Sequence, residues 1–220
     1  MAFQPPAFIA FTGVDRLDVT AALADLSALY PIEWGILIDD GRNGETLFPD
    51  AMTRARLLRS APLRWAAHVC GAYARSIADA GFLAHLDLSG FQRIQINHSF
   101  SGSTETQVAH SAEFARGRGI RPVLQCSGSF PMDARVDWLF DTSFGRGSQP
   151  RAWPALPVSG PFCGFSGGLS PESVRDALEK IAAPTGAVYW IDMESGVRTD
   201  GWLDVAKCEA VCRAVYGQHH

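Results

Sequence analysis

Short apolar runs alternate with longer segments of mixed polarity from one end of the chain to the other. The short runs are typical of buried parallel strands, because they are almost continuously hydrophobic and too short for helices. Eight such runs predict strands at residues 8–13, 33–38, 64–71, 93–98, 121–127, 136–143, 162–168 and 188–195. Eight strands joined by crossover helices indicate an α/β fold of the (β/α)8 TIM barrel type. An open doubly wound sheet repeats the same unit and stays possible from periodicity alone.

Six segments between these runs carry apolar residues at three- and four-residue spacing, as helices that cover a barrel do. They predict helices at residues 19–29, 53–61, 72–81, 104–119, 170–181 and 203–215. The connections after the fifth and sixth runs give weaker helix signals. Residues 132–135 are too few for a full helix, and residues 145–161 are rich in glycine and proline. Because no second domain is visible, we predict one barrel domain over residues 1–220.

The composition narrows the classes of partner. The chain has 220 residues, which suits one barrel, and its net charge of −4 offers no basic field for nucleic acid. It has no run of about 18 apolar residues and no secretory signal pattern at its N-terminus, so we expect a cytoplasmic protein without a membrane span. The five cysteines are dispersed without metal-binding spacing, which predicts reduced thiols and neither a metal nor a cofactor.

The clearest chemical signal is the segment SGGLSPE at residues 166–172, between the seventh predicted strand and its helix. Gly167 and Gly168 let the backbone approach a ligand closely. Ser170 as N-cap and Pro171 in the first helical position predict a helix start whose free N–H groups favour an anion. Taken alone, this segment also fits an ordinary strand-to-helix turn.

A second signal, DMESGV, ends the eighth predicted strand at residues 192–197. A turn at Ser195 and Gly196 is able to point further N–H groups at the same anion. Barrels often build a phosphate site from the loops after their last two strands. The two segments together therefore predict a phosphorylated small molecule as the substrate.

These segments resemble phosphoribosylanthranilate isomerase of tryptophan biosynthesis. The chain reads FSGGLSPESV and DMESGVR where that family reads LAGGL, a small polar residue and PENV, and then DVSSGVE. Further likenesses lie at residues 140–143 (FDTS, followed by GRGS and RAW), 94–98 (IQINH) and 11–14 (FTGV). The resemblance covers most of the chain, and its specific part is residues 136–205.

The resemblance implies an enzyme that converts an N-glycosylamine of ribose 5-phosphate into a ketose by an Amadori rearrangement. Such a reaction needs one acid and one base. The resemblance places Asp141 at the position of the acid. It places Thr12 where the family has its basic cysteine, and a threonine hydroxyl does not ionise near neutral pH. The expected base is therefore missing, which implies altered isomerase or lyase chemistry.

Other positions also depart from the family. Asn97 replaces a histidine, Glu194 replaces a serine beside the proposed phosphate, and Arg42 is only a loose counterpart of an arginine. Glu194 would repel a phosphate unless it points away or is offset by Arg198 or Arg146. The predicted catalytic residues are Asp141, Thr12 and His68. The predicted substrate-binding residues are Gly167, Gly168, Ser195, Gly196, Asp192, Glu194, Gln95, Asn97, Arg146 and Arg42.

Three residues near strand ends are candidates for a replacement base or nucleophile, namely His68, His98 and Cys126. Each of them, taken singly, is also compatible with a satisfied structural residue. A metal bound by the two histidines together with Asp39 or Glu194 stays open, although no local motif favours it.

Three functions remain open from the sequence. The first is an enzyme that isomerises or lyses a phosphorylated sugar-like molecule, with Asp141 as acid or base. The second is authentic phosphoribosylanthranilate isomerase that uses another base. The third is a barrel that binds a phosphorylated metabolite without turning it over. A monomer and a homodimer are both compatible with the sequence.

Overall fold

The computed structural model describes residues 3–82, 85–99, 101–143 and 147–217. Each of eight strands pairs in parallel with the next, and the eighth pairs with the first, so the sheet closes into a barrel. The strands are β1 Phe8–Thr12, β2 Ile32–Ile38, β3 Trp65–Val69, β4 Arg93–Ile96, β5 Arg121–Cys126, β6 Asp137–Phe140, β7 Cys163–Ser166 and β8 Tyr189–Met193. The predicted TIM barrel is confirmed and the open sheet is excluded. Each strand lies within its predicted run, apart from one additional residue at the start of β2.

The described residues form six α-helices around the barrel. They are α1 Thr20–Leu29, α2 Ala51–Ser60, α3 Gly71–Ala80, α4 Glu105–Arg116, α5 Val174–Ile181 and α6 Val205–Tyr216. Two 3-10 turns lie after β2 and β8, at Asp40–Arg42 and Ser195–Val197, and the loop after β8 also forms a small hairpin of β9 Arg198–Thr199 and β10 Trp202–Leu203. None of the described helices is long and apolar enough to cross a membrane.

The connections after β5 and β6 contain no helix in their described residues, in keeping with their weak signals. Aromatic side chains cover the outer face of the barrel instead. Phe130 packs edge-on against Phe165 with ring centroids 5.2 Å apart, and Trp153 lies 5.8 Å from the same ring and 5.9 Å from Phe140. These residues bury the apolar face that a crossover helix would otherwise cover.

The start of α5 differs from the sequence prediction. The helix begins at Val174, and the carbonyl of Ser170 accepts hydrogen bonds from the N–H groups of Ser173 and Val174. The Ser170 hydroxyl donates to Glu172 at 2.7 Å and caps no helical N–H, so the predicted N-cap is wrong. The reason is the Ser173 hydroxyl, which accepts from the Ser170 N–H and donates to the carbonyl of Gly168, closing the turn from within.

The interior of the barrel contains buried charges near the end where the strands begin. Side chains alternate between the interior and the helices along each strand. Arg93 contacts Glu33 at 2.8 Å and Asp137 at 3.4 Å, and all three residues are almost fully buried. Its guanidinium lies 4.2 Å from the centroid of the Trp190 ring. This ion cluster closes one end of the barrel, so a ligand has to enter from the other end.

Candidate active site

A cavity of about 560 Å³ lies at the end of the barrel where the strands finish. Its volume suits a small molecule, and its wall is rich in polar side chains from the strand ends and the loops that follow them. The predicted site residues that line the cavity are Thr12, Arg42, His68, Gln95, Asn97, Asp141, Gly167, Gly168, Asp192, Glu194 and Ser195. The structure therefore brings almost the whole predicted set together.

Thr12 lies at the base of the cavity between a carboxyl group and an imidazole. Its hydroxyl donates to Asp192 Oδ1 at 2.7 Å, and its Oγ1 lies 3.3 Å from His68 Nε2. Gly35 leaves the room for this contact, because a Cβ there would lie 2.7 Å from Thr12 Oγ1 and 2.9 Å from His68 Nε2. The residue at the family's cysteine position is thus a hydrogen-bonding link between two ionisable side chains.

The pKa values of these two side chains move in opposite directions, because burial disfavours the charged form of each. Burial raises the pKa of Asp192 to about 7; the nearby charges of Glu194, Asp141 and Glu33 add to this rise, and the hydrogen bond from Thr12 opposes it. Burial, helped by the charge of Arg93, lowers the pKa of His68 to about 3. Asp192 therefore exchanges its proton near neutral pH, whereas His68 is a neutral imidazole and a poor proton acceptor there.

The raised pKa of Asp192 gives a prediction for stability. The pKa rises from its ordinary 3.8 to about 7 on folding, so the folded protein holds this proton more tightly than the unfolded chain. The stabilising contribution of the protonated Asp192 is therefore lost as pH rises from about 4 to 7. We expect Asp192→Asn to increase the free energy of unfolding at pH 8 by up to about 4 kcal/mol and to change it little near pH 4. Urea unfolding across this pH range measures the difference, and equal gains at both pH values would contradict it.

Asp141 follows β6 and faces the loop after β7. Its carboxylate accepts a hydrogen bond from the N–H of Ser143 at 2.7 Å, which fixes the side chain at the cavity wall. A Cβ on Gly167 would lie 3.8 Å from Asp141 Oδ1. The candidate acid and the first glycine of the SGGLSPE segment are therefore neighbours.

The loops after β6, β7 and β8 pack against one another beside Asp141. A Cβ on Gly196 would overlap the carbonyl of Leu169, one on Gly147 would overlap the Ser195 hydroxyl, and one on Gly168 would lie 2.5 Å from the N atom of Gln149. Gly196 does not line the cavity and instead lets the last two loops touch. Among the described residues, no acceptor is bonded to the N–H groups of Gly168 and Gly196. The two predicted anion-binding loops are thus adjacent.

Arg198, one of the two arginines proposed to offset Glu194, has another partner. Arg198 is buried against Asp15 at 2.7 Å and also donates to the carbonyl of Gly13. Its charge still opposes the rise in the pKa of Glu194, which is caused chiefly by burial. Arg146 lies outside the described residues. The charge of Arg198, which was predicted to offset Glu194, is therefore shared between Asp15 and Glu194.

Comparisons with known proteins bear on this architecture. No protein-family model matches the chain, and no curated protein sequence matches it. Among solved structures, phosphoribosylanthranilate isomerase from Thermotoga maritima is 16% identical, with a TM-score of 0.60 over 96% of this chain and 98% of that one. The isomerase from Pyrococcus furiosus is 13% identical, with a TM-score of 0.61 over 94% and 98%. A tryptophan synthase α-subunit mutant from Pyrococcus furiosus is 13% identical, with a TM-score of 0.55 over 98% and 100%.

The chain shares its barrel fold with these enzymes. At such low identity the likeness concerns the fold alone.

Arg42 lies at the wall of the cavity. Its guanidinium lies 4.1 Å from the centroid of the Phe48 ring and pairs with Glu45 at 3.0 Å, which holds it at the cavity wall on the side of β2. Its charge also reaches Glu194 after β8, where it opposes the rise in the pKa that burial causes.

The polar wall after β4 is a short chain of hydrogen bonds. Gln95 donates to the side-chain carbonyl of Asn97 at 2.9 Å, and Asn97 donates to the sulfur of Cys70 at 3.4 Å. Burial raises the pKa of Cys70 to about 11, so its thiol stays protonated. His98 also lines the cavity and is bonded to Ser103 at 2.8 Å.

Cys126 does not reach the cavity. It is buried on the outer side of β5, where burial raises the pKa of its thiol to about 12. The preceding residue, Gln125, faces the cavity in its place, and its Oε1 is buried without a partner among the described residues. The suggestion that Cys126 acts as a nucleophile is therefore wrong, because alternate residues of a strand face opposite sides.

Several cavity residues were missed in the sequence, namely Cys70, Arg75, Gln125 and Ser166. Those on or just after a strand could have been found by counting, because each lies an even number of positions after a residue that faces the barrel interior. Arg75 lies instead on the adjoining helix. Within the described ranges, no group of three histidine, cysteine, aspartate or glutamate side chains is arranged to hold a metal ion. The metal site of His68, His98 and a carboxylate therefore has no geometric support.

Proposed function

We propose that this protein is an enzyme that isomerises or lyses a phosphorylated sugar-like molecule, with Asp141 as a proton-transferring residue. One observation carries the proposal. The carboxylate of Asp141 lies in the same cavity as Gly168 and Ser195, whose loops touch each other through Gly196. A substrate with a phosphate at these loops would bring its neighbouring carbons towards Asp141.

The proposed phosphate site is supported by a backbone N–H group and by the charges around Glu194. Backbone N–H groups without an acceptor attract anions, and the N–H of Gly168, which lines the cavity, has no acceptor among the described residues. Glu194 lines the same cavity, and burial raises its pKa. The charge of Arg198, which opposes that rise, offsets part of the repulsion between Glu194 and a phosphate.

Two of the similar solved structures are phosphoribosylanthranilate isomerases, one of them described as an N-(5′-phosphoribosyl)anthranilate isomerase. Authentic activity on that compound is the narrower version of the proposal, and a barrel that binds without turnover is its alternative. The carboxyl groups at the cavity favour an enzyme, because burial raises the pKa of Asp192 to about 7 and so suits this group to proton transfer near neutral pH. We also propose a cytoplasmic protein that is monomeric or homodimeric and forms one domain.

The direct test compares phosphorylated and unphosphorylated sugars. Purified protein is titrated with ribose 5-phosphate and with ribose by calorimetry, and it is assayed for turnover of N-(5′-phosphoribosyl)anthranilate and a panel of pentose and triose phosphates. We expect binding only of the phosphorylated sugar and turnover of at least one phosphosugar. Equal binding of both sugars would refute the phosphate site, and binding without any turnover would favour the non-catalytic barrel.

Gly196 offers a variant that separates the two loops. In Gly196→Ala the new Cβ would overlap the backbone carbonyl of Leu169, which has no side-chain freedom to move aside. The loops would part and lose one or more hydrogen bonds to the phosphate, each worth about 1.5–3 kcal/mol. We expect the dissociation constant for ribose 5-phosphate to rise tenfold or more. Gly128→Ala is the control, because nothing lies within 4 Å of the new Cβ and the backbone there is not left-handed. Unchanged affinity in Gly196→Ala would argue against a phosphate at these loops.

A further inference from the structure

The proposed reaction needs a base, and the family's base position holds Thr12. Because β1 and β8 are paired, Thr12 lies next to Asp192, and its hydroxyl donates to Asp192 Oδ1 at 2.7 Å. Asp192 is only 6% exposed and lines the cavity that Asp141 also lines. We propose that Asp192 is the general base and that Thr12 is its positioning residue. This inference rests on the proposed function.

The hydrogen bonds leave one carboxylate oxygen for a substrate. Oδ1 of Asp192 accepts from Thr12, and Oδ2 makes no hydrogen bond to another described residue. Because Thr12 uses its proton on Asp192, its oxygen is the acceptor for His68 Nε2 at 3.3 Å. A chain of three side chains thus holds the carboxylate at a fixed angle to the cavity.

The charges that face Asp192 come from several strands. Glu33 on β2, Asp141 after β6 and Glu194 after β8 are acidic; Arg93 on β4 is basic; and His68 on β3 is neutral because burial lowers its pKa to about 3.

With burial, the three acidic neighbours raise the pKa of Asp192 to about 7, which suits a base that must both take and return a proton near neutral pH. His68 does not meet that requirement.

The step is written for a ring-opened substrate with a C=N or C=O bond. The carboxylate of Asp192 takes the proton from the carbon next to that bond, and the C–H electron pair forms a C=C bond. The π electron pair of the C=N or C=O bond moves to the nitrogen or oxygen atom, which receives a proton from Asp141. Return of the proton from Asp192 to the neighbouring carbon, with recapture of the hydroxyl proton by Asp141, completes an isomerisation without another reactant.

The test measures exchange of carbon-bound hydrogen with solvent, which requires proton abstraction but no complete turnover. Ribulose 5-phosphate is incubated with the full chain in D₂O, and loss of the hydrogen signals next to its carbonyl is followed by NMR. We expect wild-type protein to catalyse this exchange and Asp192→Asn to lose it by about 10²–10⁴-fold while binding the probe with unchanged affinity. Asp176→Asn, an exposed aspartate of α5 paired with Lys180, is the matched control and should exchange normally.

Thr12 is tested through the pH profile of exchange. Thr12→Val removes the hydrogen bond that favours the charged carboxylate, so the midpoint of the rise in rate should move to higher pH, whereas Thr12→Ser should retain the wild-type midpoint. A role in packing alone would lower the rate without moving the midpoint. This measurement also decides the matter if Asp192→Asn fails to fold.

The outcomes separate this inference from the proposed function. Undiminished exchange in folded Asp192→Asn overturns Asp192 as the base. Wild-type protein that binds the probe without exchange also overturns it, and leaves the phosphate site intact. Wild-type protein that does not bind the probe at all overturns the proposed function and the base with it.

Discussion

Replacing Asp141 with asparagine is expected to lower kcat on a phosphosugar substrate by about 10²–10⁴-fold. Asparagine has nearly the same shape and still accepts the hydrogen bond from the N–H of Ser143, so the loop should keep its course. It does not transfer a proton, which removes the acid that opens the sugar ring. The measurement is steady-state kinetics with the substrate found in the phosphosugar panel.

Binding separates lost chemistry from lost structure in this variant. The phosphate is proposed to meet the loops at Gly168 and Gly196, so ribose 5-phosphate should bind Asp141→Asn within about twofold of wild type. Removing a carboxylate near Glu194 and Asp192 should also lower the pKa of both groups, because the charge of Asp141 raises each of them. Turnover at the wild-type rate would show that another group supplies the proton.

The fold was readable from the sequence because each strand is buried on both faces. Such strands appear as short continuous apolar runs, and eight of them at barrel spacing leave few topologies. The same property hides which residues face the cavity. In β5 the run RPVLQC has no alternation, so nothing in it distinguishes Gln125, which faces the cavity, from Cys126, which does not.

The loops after β7 and β8 were found in the sequence because their glycines and their order are local features. The link between Thr12 and Asp192 was not, since the two residues are 180 positions apart and meet only when the barrel closes. The role of Gly35 was also hidden in the sequence, because it depends on residues of other strands. Its missing Cβ makes room for two side chains on other strands, and its own neighbours in sequence give no sign of that. The pKa of Asp192 follows from this closure as well, because burial is its main cause.

The largest effect on stability is expected at the other end of the barrel. Arg93 lies between Glu33 and Asp137, its side chain is 6% exposed, and those of its two partners are each 2% exposed. Removing one member of a buried ion cluster leaves uncompensated charge and costs about 3–5 kcal/mol. Arg93→Met keeps much of the volume beside Trp190 and removes only the charge. We expect it to lower the free energy of unfolding in urea by that amount, despite the outer partners Arg64 and Arg121.

Two further variants show whether charge is the cause. Arg116→Met removes an arginine whose pair with Glu113 is fully at the surface, and it should change stability by less than about 0.5 kcal/mol. Adding Glu33→Gln and Asp137→Asn to Arg93→Met removes the charges left behind. If electrostatics dominates, this triple variant is more stable than Arg93→Met alone, because a neutral polar cluster costs less to bury than two unpaired carboxylates. A triple variant that is less stable would instead assign the loss to packing against Trp190.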